Sequence, residues 1–325
     1  MQAGFGYNIF GDKMCTAITY KTNDFYFGRN LDLERTYNEG VVVTPRNFEL
    51  KMRCVEPLKT HYALIGMATI VDDFPLYFEA TNEKGLSMAG LNFPDNADYK
   101  PFSDTLKNIT PFEFIPYILG KCKNIEEASK ELNEINLVNI NFNDDLPLSP
   151  LHWIISDKYK SLTVESIESG LKIYNNPVGV LTNNPTFDYH LMHLNNYMSL
   201  HEGASENKFS KNIDFENFSL GMGALGLPGD FSSASRFVKA AFVKFKSQSD
   251  GSEKESVNQF FHILDSVSMP KGCVLVRDNE YEYTRYSSCC NADKGIYYYK
   301  TYDDFNIKKV ELGSFDLDNN ELSEI

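Results

Sequence analysis

The sequence predicts an α+β fold, a single layered domain in which antiparallel strands surround two helical blocks. Short runs rich in Tyr, Val, Phe, Thr and Ile, punctuated by turn signals, fill the first hundred and the last fifty residues. Helical patterns gather in two separate stretches. Few strand–helix–strand alternations occur, which argues against a doubly wound parallel sheet, and no repeat or Pro/Ser-rich linker marks a domain boundary.

Taken in order, strands are expected at Thr16–Thr22, Phe25–Arg29, Val41–Thr44, Tyr62–Ile70 and Leu76–Ala80, separated by turns such as Thr22-Asn23-Asp24 and Asn82-Glu83-Lys84-Gly85. Pro111–Leu119 is apolar at helical spacing. Asn124 with Glu127 three positions on reads as a capping box that opens a helix to about Ile135. Strands return at Leu151–Ser156, Ser161–Ser166 and Gly170–Asn175, followed by a helix over Thr186–Leu200 and a polar loop over residues 201–219. Ser233–Lys246 carries Phe237, Ala240, Ala241 and Val243 along one side. Ser252 with Glu255 is a second capping box, opening a helix to about Val267. The expected closing strands are Val274–Val276, Glu282–Ser287, Gly295–Thr301 and Ile307–Glu311, with Asn319–Ile325 frayed.

A formal net charge of −14 argues against a sequence-independent nucleic-acid binder and against polybasic membrane association. It leaves an anionic small molecule open as substrate, because local arginines can dominate a pocket. The six cysteines are irregularly spaced and form no C-x-x-C pair, so reduced thiols in a cytoplasmic protein are expected rather than a zinc site or a disulfide framework. No apolar run is long enough to span a bilayer. Residues 1–14 lack the basic start and apolar core of a secretory signal and read as a leader, a tag remnant or a misassigned start, with residues 15–325 as the one domain.

Two motifs invite other chemistry. Gly221-Met-Gly223-Ala-Leu-Gly226 has dinucleotide-fingerprint spacing, but Pro228-Gly229 follows at once, where a helix should begin. His190 and His193, with His201 nearby, could hold zinc, yet no H-E-x-x-H accompanies them, and no metal or other cofactor is expected. The nucleophile elbow G-x-S-x-G and the phosphate-binding Walker loop are both missing.

Cys15 stands directly after Met14 at the start of the first strand. On its own it reads as a buried strand thiol. If Met14 is removed, however, Cys15 gains a free α-amino group, whose ordinary pKa of about 8 lets it act as a base beside its own sulfur. One residue then supplies both nucleophile and base.

The segments Met14-Cys15-Thr16-Ala17, Phe27-Gly28-Arg29-Asn30-Leu31-Asp32, Ala89-Gly90-Leu91-Asn92-Phe93-Pro94, Leu151-His152-Trp153, Leu181-Thr182-Asn183-Asn184-Pro185 and Ser235-Arg236-Phe237 occur in this order along the chain. Together they resemble the choloylglycine hydrolase family, which includes bile salt hydrolases and penicillin V acylases. The resemblance implies an αββα four-layer sandwich of the N-terminal-nucleophile hydrolase type, with two antiparallel sheets between helical layers. It implies that Cys15 is the nucleophile, that Arg29 lines the site near it, and that Asp32 hydrogen-bonds around the amine. Asn92 and Asn183 match the oxyanion hole, and Arg236 matches an arginine that supports the nucleophile. The interval from Cys15 to Arg29 is about two residues shorter than in bile salt hydrolases, which a hairpin between Lys21 and Phe25 would absorb.

Asn92 resembles the bile salt branch, since some penicillin acylases carry Tyr there. By the same resemblance Leu31, Val71, Phe78, Phe142 and Leu146 match positions around the pocket for a rigid apolar body; by pattern alone each could equally be core. The implied activity is amide hydrolysis of glycine- or taurine-conjugated bile salts. Penicillin V or another N-acyl amide is the second possibility, and a non-catalytic binder results if Cys15 stays capped. Family members form homotetramers, with residues from about Thr186 to Gly221 the expected contact.

Overall fold

The computed structural model describes residues 14–325. The first strands are β1 (Cys15–Lys21), β2 (Phe25–Leu33), β3 (Gly40–Thr44), β4 (Leu64–Val71), β5 (Phe74–Asn82), β6 (Ser87–Asn92) and β7 (Lys107–Ile109). Helices α1 (Phe114–Lys121) and α2 (Ile125–Leu132) come next, then β8 (Ile135–Leu137), β9 (Leu151–Ser156), β10 (Ser161–Ile167), β11 (Gly170–Asn175) and β12 (Val180–Leu181). After α3 (Phe187–Leu194), α4 (Ser233–Lys246) and α5 (Glu253–Asp265), the chain closes with β13 (Val274–Arg277), β14 (Glu280–Asn291), β15 (Ile296–Thr301), β16 (Lys308–Glu311) and β17 (Ser323–Glu324).

Two antiparallel sheets take all of these strands but β7 and β8, which pair with each other in parallel. One runs β12-β1-β2-β14-β15-β16, with β13 on β14; the other runs β11-β10-β9-β6-β5-β4-β3-β17. Ile18, Phe27, Ile65, Leu91 and Ile154 share one core with Phe237 and Phe260 of α4 and α5. Met88, Trp153 and Val164 share the other with Phe114, Ile118 and Leu132 of α1 and α2. The order of layers is therefore helix, sheet, sheet, helix, as the resemblance implied. β2 and β6 are buried along their whole length because each lies in a sheet covered on both faces.

Both capping boxes form on the donor side: Asn124 Oδ1 accepts from Glu127 N at 3.0 Å and Ser252 Oγ from Glu255 N at 3.3 Å. Their acidic partners reach back past the cap, Glu127 to Lys123 N and Glu255 to Asp250 N. The C-terminus differs from the expected frayed tail. Ser323 and Glu324 pair with Val43 and Val42, and Ile325 N donates to Val41 O at 2.9 Å. The edge of β3 offers open backbone groups, and the tail covers them.

β2 continues past Arg29 to Leu33, which carries Asp32 into the sheet. The helix expected over Thr186–Leu200 ends as α3 at Leu194, followed by a 3₁₀ turn over Asn195–Tyr197. No helix among the described residues is long and apolar enough to cross a membrane.

Candidate active site

Cys15 begins β1 and lies opposite Leu31 on β2, buried to 3% exposure. The β1–β2 turn is the tight Thr22-Asn23-Asp24 loop, closed by Thr22 N on Asp24 O at 3.0 Å, which accommodates the short interval. Gly28, beside Arg29, allows close passage of β14: a Cβ there would fall 2.0 Å from Ser288 O.

Two side chains from distant parts of the chain meet at Cys15. Its N–H donates to Asn183 Oδ1 at 2.8 Å. Arg236, fully buried on α4, donates through Nη1 to Cys15 O and Thr16 Oγ1, each at 2.6 Å, and through Nη2 to Asn183 Oδ1 at 2.7 Å. With both donors on Oδ1, the orientation of the Asn183 amide is set and its Nδ2 faces Asn92, donating to Asn92 O at 2.8 Å. Ser232, whose hydroxyl caps α4, and Asp230, which takes Ser232 N at 3.0 Å and Ser235 Oγ at 2.6 Å, hold the start of α4 in place behind Arg236.

The charges on the other side of Cys15 are buried as well. Arg29 Nη1 donates to Gly90 O at 2.6 Å and Phe78 O at 3.1 Å, and its Nε lies 3.9 Å from Glu79 Oε2. Glu79 in turn receives Tyr286, Tyr297 and Ser288 hydroxyls at 2.6, 2.5 and 2.9 Å, so its carboxylate is well supported behind Arg29. Asp32 Oδ1 takes the Thr284 hydroxyl at 2.6 Å, and Asp32 N donates to Met14 O at 3.2 Å. Glu282, two residues before Thr284 on β14, accepts from Met14 N. Among the described residues, Asp32 Oδ2, Glu282 Oε2 and Arg29 Nη2 are buried without hydrogen-bond partners.

Burial sets the titration of this cluster. It pushes the Cys15 thiol above its ordinary value, an effect that the Arg29 cation offsets only in part. Burial also raises Asp32 to about 6 against the opposing pull of Arg236. Glu282 rises to about 9 through burial and then through the like charge of Asp32. A buried thiol of this kind is protonated at neutral pH, so attack through sulfur needs a base.

Cys15 and Arg29 line a cleft of about 200 Å³ whose other walls are mainly aliphatic and aromatic side chains. Leu31, Val71, Phe78, Phe142 and Leu146 all border it, as does Asn92. An apolar cleft with a thiol and a few polar groups in its lining suits a largely apolar molecule carrying one polar bond.

A model of linear amide C–N hydrolases of the choloylglycine hydrolase family matches residues 15–324. The chain belongs to this family. It is 56% identical over 309 residues, 95% of each chain, to a bile salt hydrolase/transferase of Lactiplantibacillus plantarum. A crystal structure of a cysteine-to-alanine variant of conjugated bile acid hydrolase from Clostridium perfringens superposes with a TM-score of 0.88, at 36% identity and 96% coverage of each chain. Penicillin V acylase from Agrobacterium tumefaciens, at 20% identity, shares the fold with a TM-score of 0.75, covering 95% of this chain and 90% of its own.

For this choloylglycine hydrolase family member, the six motif residues Cys15, Arg29, Asp32, Asn92, Asn183 and Arg236 converge on one place. Glu79 and Glu282 were not identified from the sequence; for Glu79 the available signal is an acid within an apolar stretch of strand, Leu76-Tyr77-Phe78-Glu79-Ala80. The competing motifs do not form the sites their spacing suggested. Gly221 and Gly226 take positive φ on either side of a short 3₁₀ turn over Met222–Ala224, and the next α-helix begins only at Ser233; His190 is buried on α3 while His193 is half-exposed. The described residues contain no group of three or more His, Cys, Asp or Glu placed to hold a metal ion.

Proposed function

We propose that this protein hydrolyses the amide bond of glycine- or taurine-conjugated bile salts, with Cys15 as the N-terminal nucleophile. The observation that carries the reading is the gathering of Asn183, Arg236 and Asp32 around Cys15, which itself lines an apolar cleft with Arg29 and Asn92. The names of the relatives give the substrate class. In the active form residues 1–14 are gone and the α-amine of Cys15 takes the thiol proton. Sγ attacks the amide carbonyl, and the oxyanion that forms is stabilised by amide donors at Asn92 and Asn183. A preorganised donor of this kind contributes about 3–4 kcal/mol. The nitrogen leaves protonated as glycine or taurine, and water then cleaves the thioester.

The Lactiplantibacillus plantarum relative is named hydrolase/transferase. The same thioester passing its acyl group to an added amine would fit that second activity. We further propose a homotetramer with residues 186–221 at the contact. The six cysteines stand free, as in a reducing compartment, and a cytoplasmic location is proposed on that ground.

The test combines intact mass with turnover. Protein whose mass begins at Cys15 is expected to release glycine or taurine from glycocholate and taurocholate faster than it hydrolyses the side-chain amide of penicillin V. Faster penicillin V turnover rejects the substrate assignment. Full-length protein that retains residues 1–14 is expected to be inactive, and full activity in that form rejects the N-terminal mechanism.

A further inference from the structure

We infer that His152 and His190 are positioning residues for the amide hydrolysis proposed above, holding the segments of Asn92, Asn183 and Arg236 in register around Cys15. The inference rests on that reading of the site. Residues 182–186 leave the sheet after the two-residue strand β12, so a short ladder gives them little support. Side chains hold them instead. His152 Nε2 meets Thr182 O at 2.9 Å, and His190 Nε2 meets Asn183 O at 2.9 Å. Ser233 Oγ accepts from Asn183 N at 2.8 Å.

Each imidazole also has a second contact beside a site residue. His152 stacks on Phe93, adjacent to Asn92, with centroids 4.2 Å apart and planes 7° apart. His190 stacks on Phe237, adjacent to Arg236, at 4.8 Å and 21°. One ring thus links the Asn92 and Asn183 segments, and the other links the Asn183 and Arg236 segments. Glu165 orients His152, with Oε1 at 3.0 Å from Nδ1, and the same oxygen accepts from Phe187 N at 3.0 Å, anchoring the start of α3. Burial lowers His190 to about 4, so across neutral pH its ring is uncharged and donates through Nε2 to the carbonyl.

His190→Phe keeps the ring stack and most of the volume but removes the donor to Asn183 O. His190→Gln replaces the donor. On glycocholate, His190→Phe is expected to lose about 10- to 100-fold in kcat with KM within about twofold, part of the 10²–10³ loss typical of an oxyanion donor removed outright. His190→Gln should return to within about fivefold of wild type. Folded His190→Phe with wild-type kcat overturns the inference, as does a loss that Gln does not rescue. If His190→Phe does not fold, Phe93→Leu decides: a lower kcat at constant KM supports the register role, and an unchanged kcat overturns it. Should the wild type hydrolyse neither glycocholate nor penicillin V, the functional reading fails by itself. The clamp is then read from a crystal structure of His190→Phe: an Asn183 side chain displaced from Cys15 N supports it, and an unmoved one overturns it.

Discussion

Arg236 shows how much a single side chain does here. Its guanidinium donates to Phe231 O, Cys15 O, Thr16 Oγ1 and Asn183 Oδ1, four oxygens in different directions. A lysine ammonium has three donors at one point and cannot span that set. Arg236→Lys is therefore expected to lower kcat by at least about 100-fold, because it releases the Asn183 amide from its fixed orientation. Steady-state kinetics on glycocholate check it. Glu282 calls for a different test. With Met14 in place its folded pKa of about 9 lies above the ordinary 4.5, so its contribution to stability is complete below that ordinary value and is lost as pH rises toward 9. Glu282→Gln does not titrate and keeps an acceptor for Met14 N. Thermal unfolding from pH 5 to pH 9 should show a shallower fall in Tm for the variant than for the parent, with the variant ahead at pH 8. Parallel curves would remove Glu282 from the pH response.

At the scale of elements, the site depends on β2 lying between β1 and β14. Gly28 permits it, since an alanine Cβ would sit 2.0 Å from Ser288 O, a backbone atom with no flexible side chain to yield. Gly28→Ala is expected to cost more than about 3 kcal/mol, or to leave the protein unfolded, as overpacking against backbone does. Denaturant unfolding measures it, and a loss below 1 kcal/mol would mean that the strands separate freely. Much of this architecture is legible in the sequence, because the strand runs alternate and the caps at Asn124 and Ser252 carry their own signals. Three features are not. Ser87–Asn92 is buried on both faces, so its pattern lacks alternation and its strand character is masked. The pairing of Ser323–Glu324 with β3 depends on an open edge some 280 residues away. Leu151-His152-Trp153 stands out as a motif, yet nothing local tells that His152 reaches Thr182. Cys15, Asp32, Asn183 and Arg236 are legible only as motifs, since residues separated by up to 221 positions meet through topology.

At the scale of the whole molecule, the stretch between α3 and α4 is distinctive. Met198, Phe209, Phe218 and Leu220 are 80%, 86%, 85% and 100% exposed, whereas the side chains of both cores are buried. Exposed large apolar side chains in such number along one stretch are unfavourable in water unless something covers them. With a net charge of −14 on each chain, copies repel one another, so an association must rest on a specific apolar contact rather than on general attraction. This stretch is the site at which the proposed homotetramer would form. The cleft already holds Cys15, Arg29 and Asn92 within one chain. Sedimentation of wild type is expected to give a mass about four times that of the chain. Phe209→Ser, Phe218→Ser and Leu220→Ser combined should shift it to dimer or monomer. Turnover per Cys15 should stay within about threefold at 25 °C, while Tm falls and becomes concentration-dependent, because assembly stabilises by mass action. A triple variant that still sediments as a tetramer moves the contact elsewhere, and one that dissociates and loses all turnover makes the assembly part of the active site.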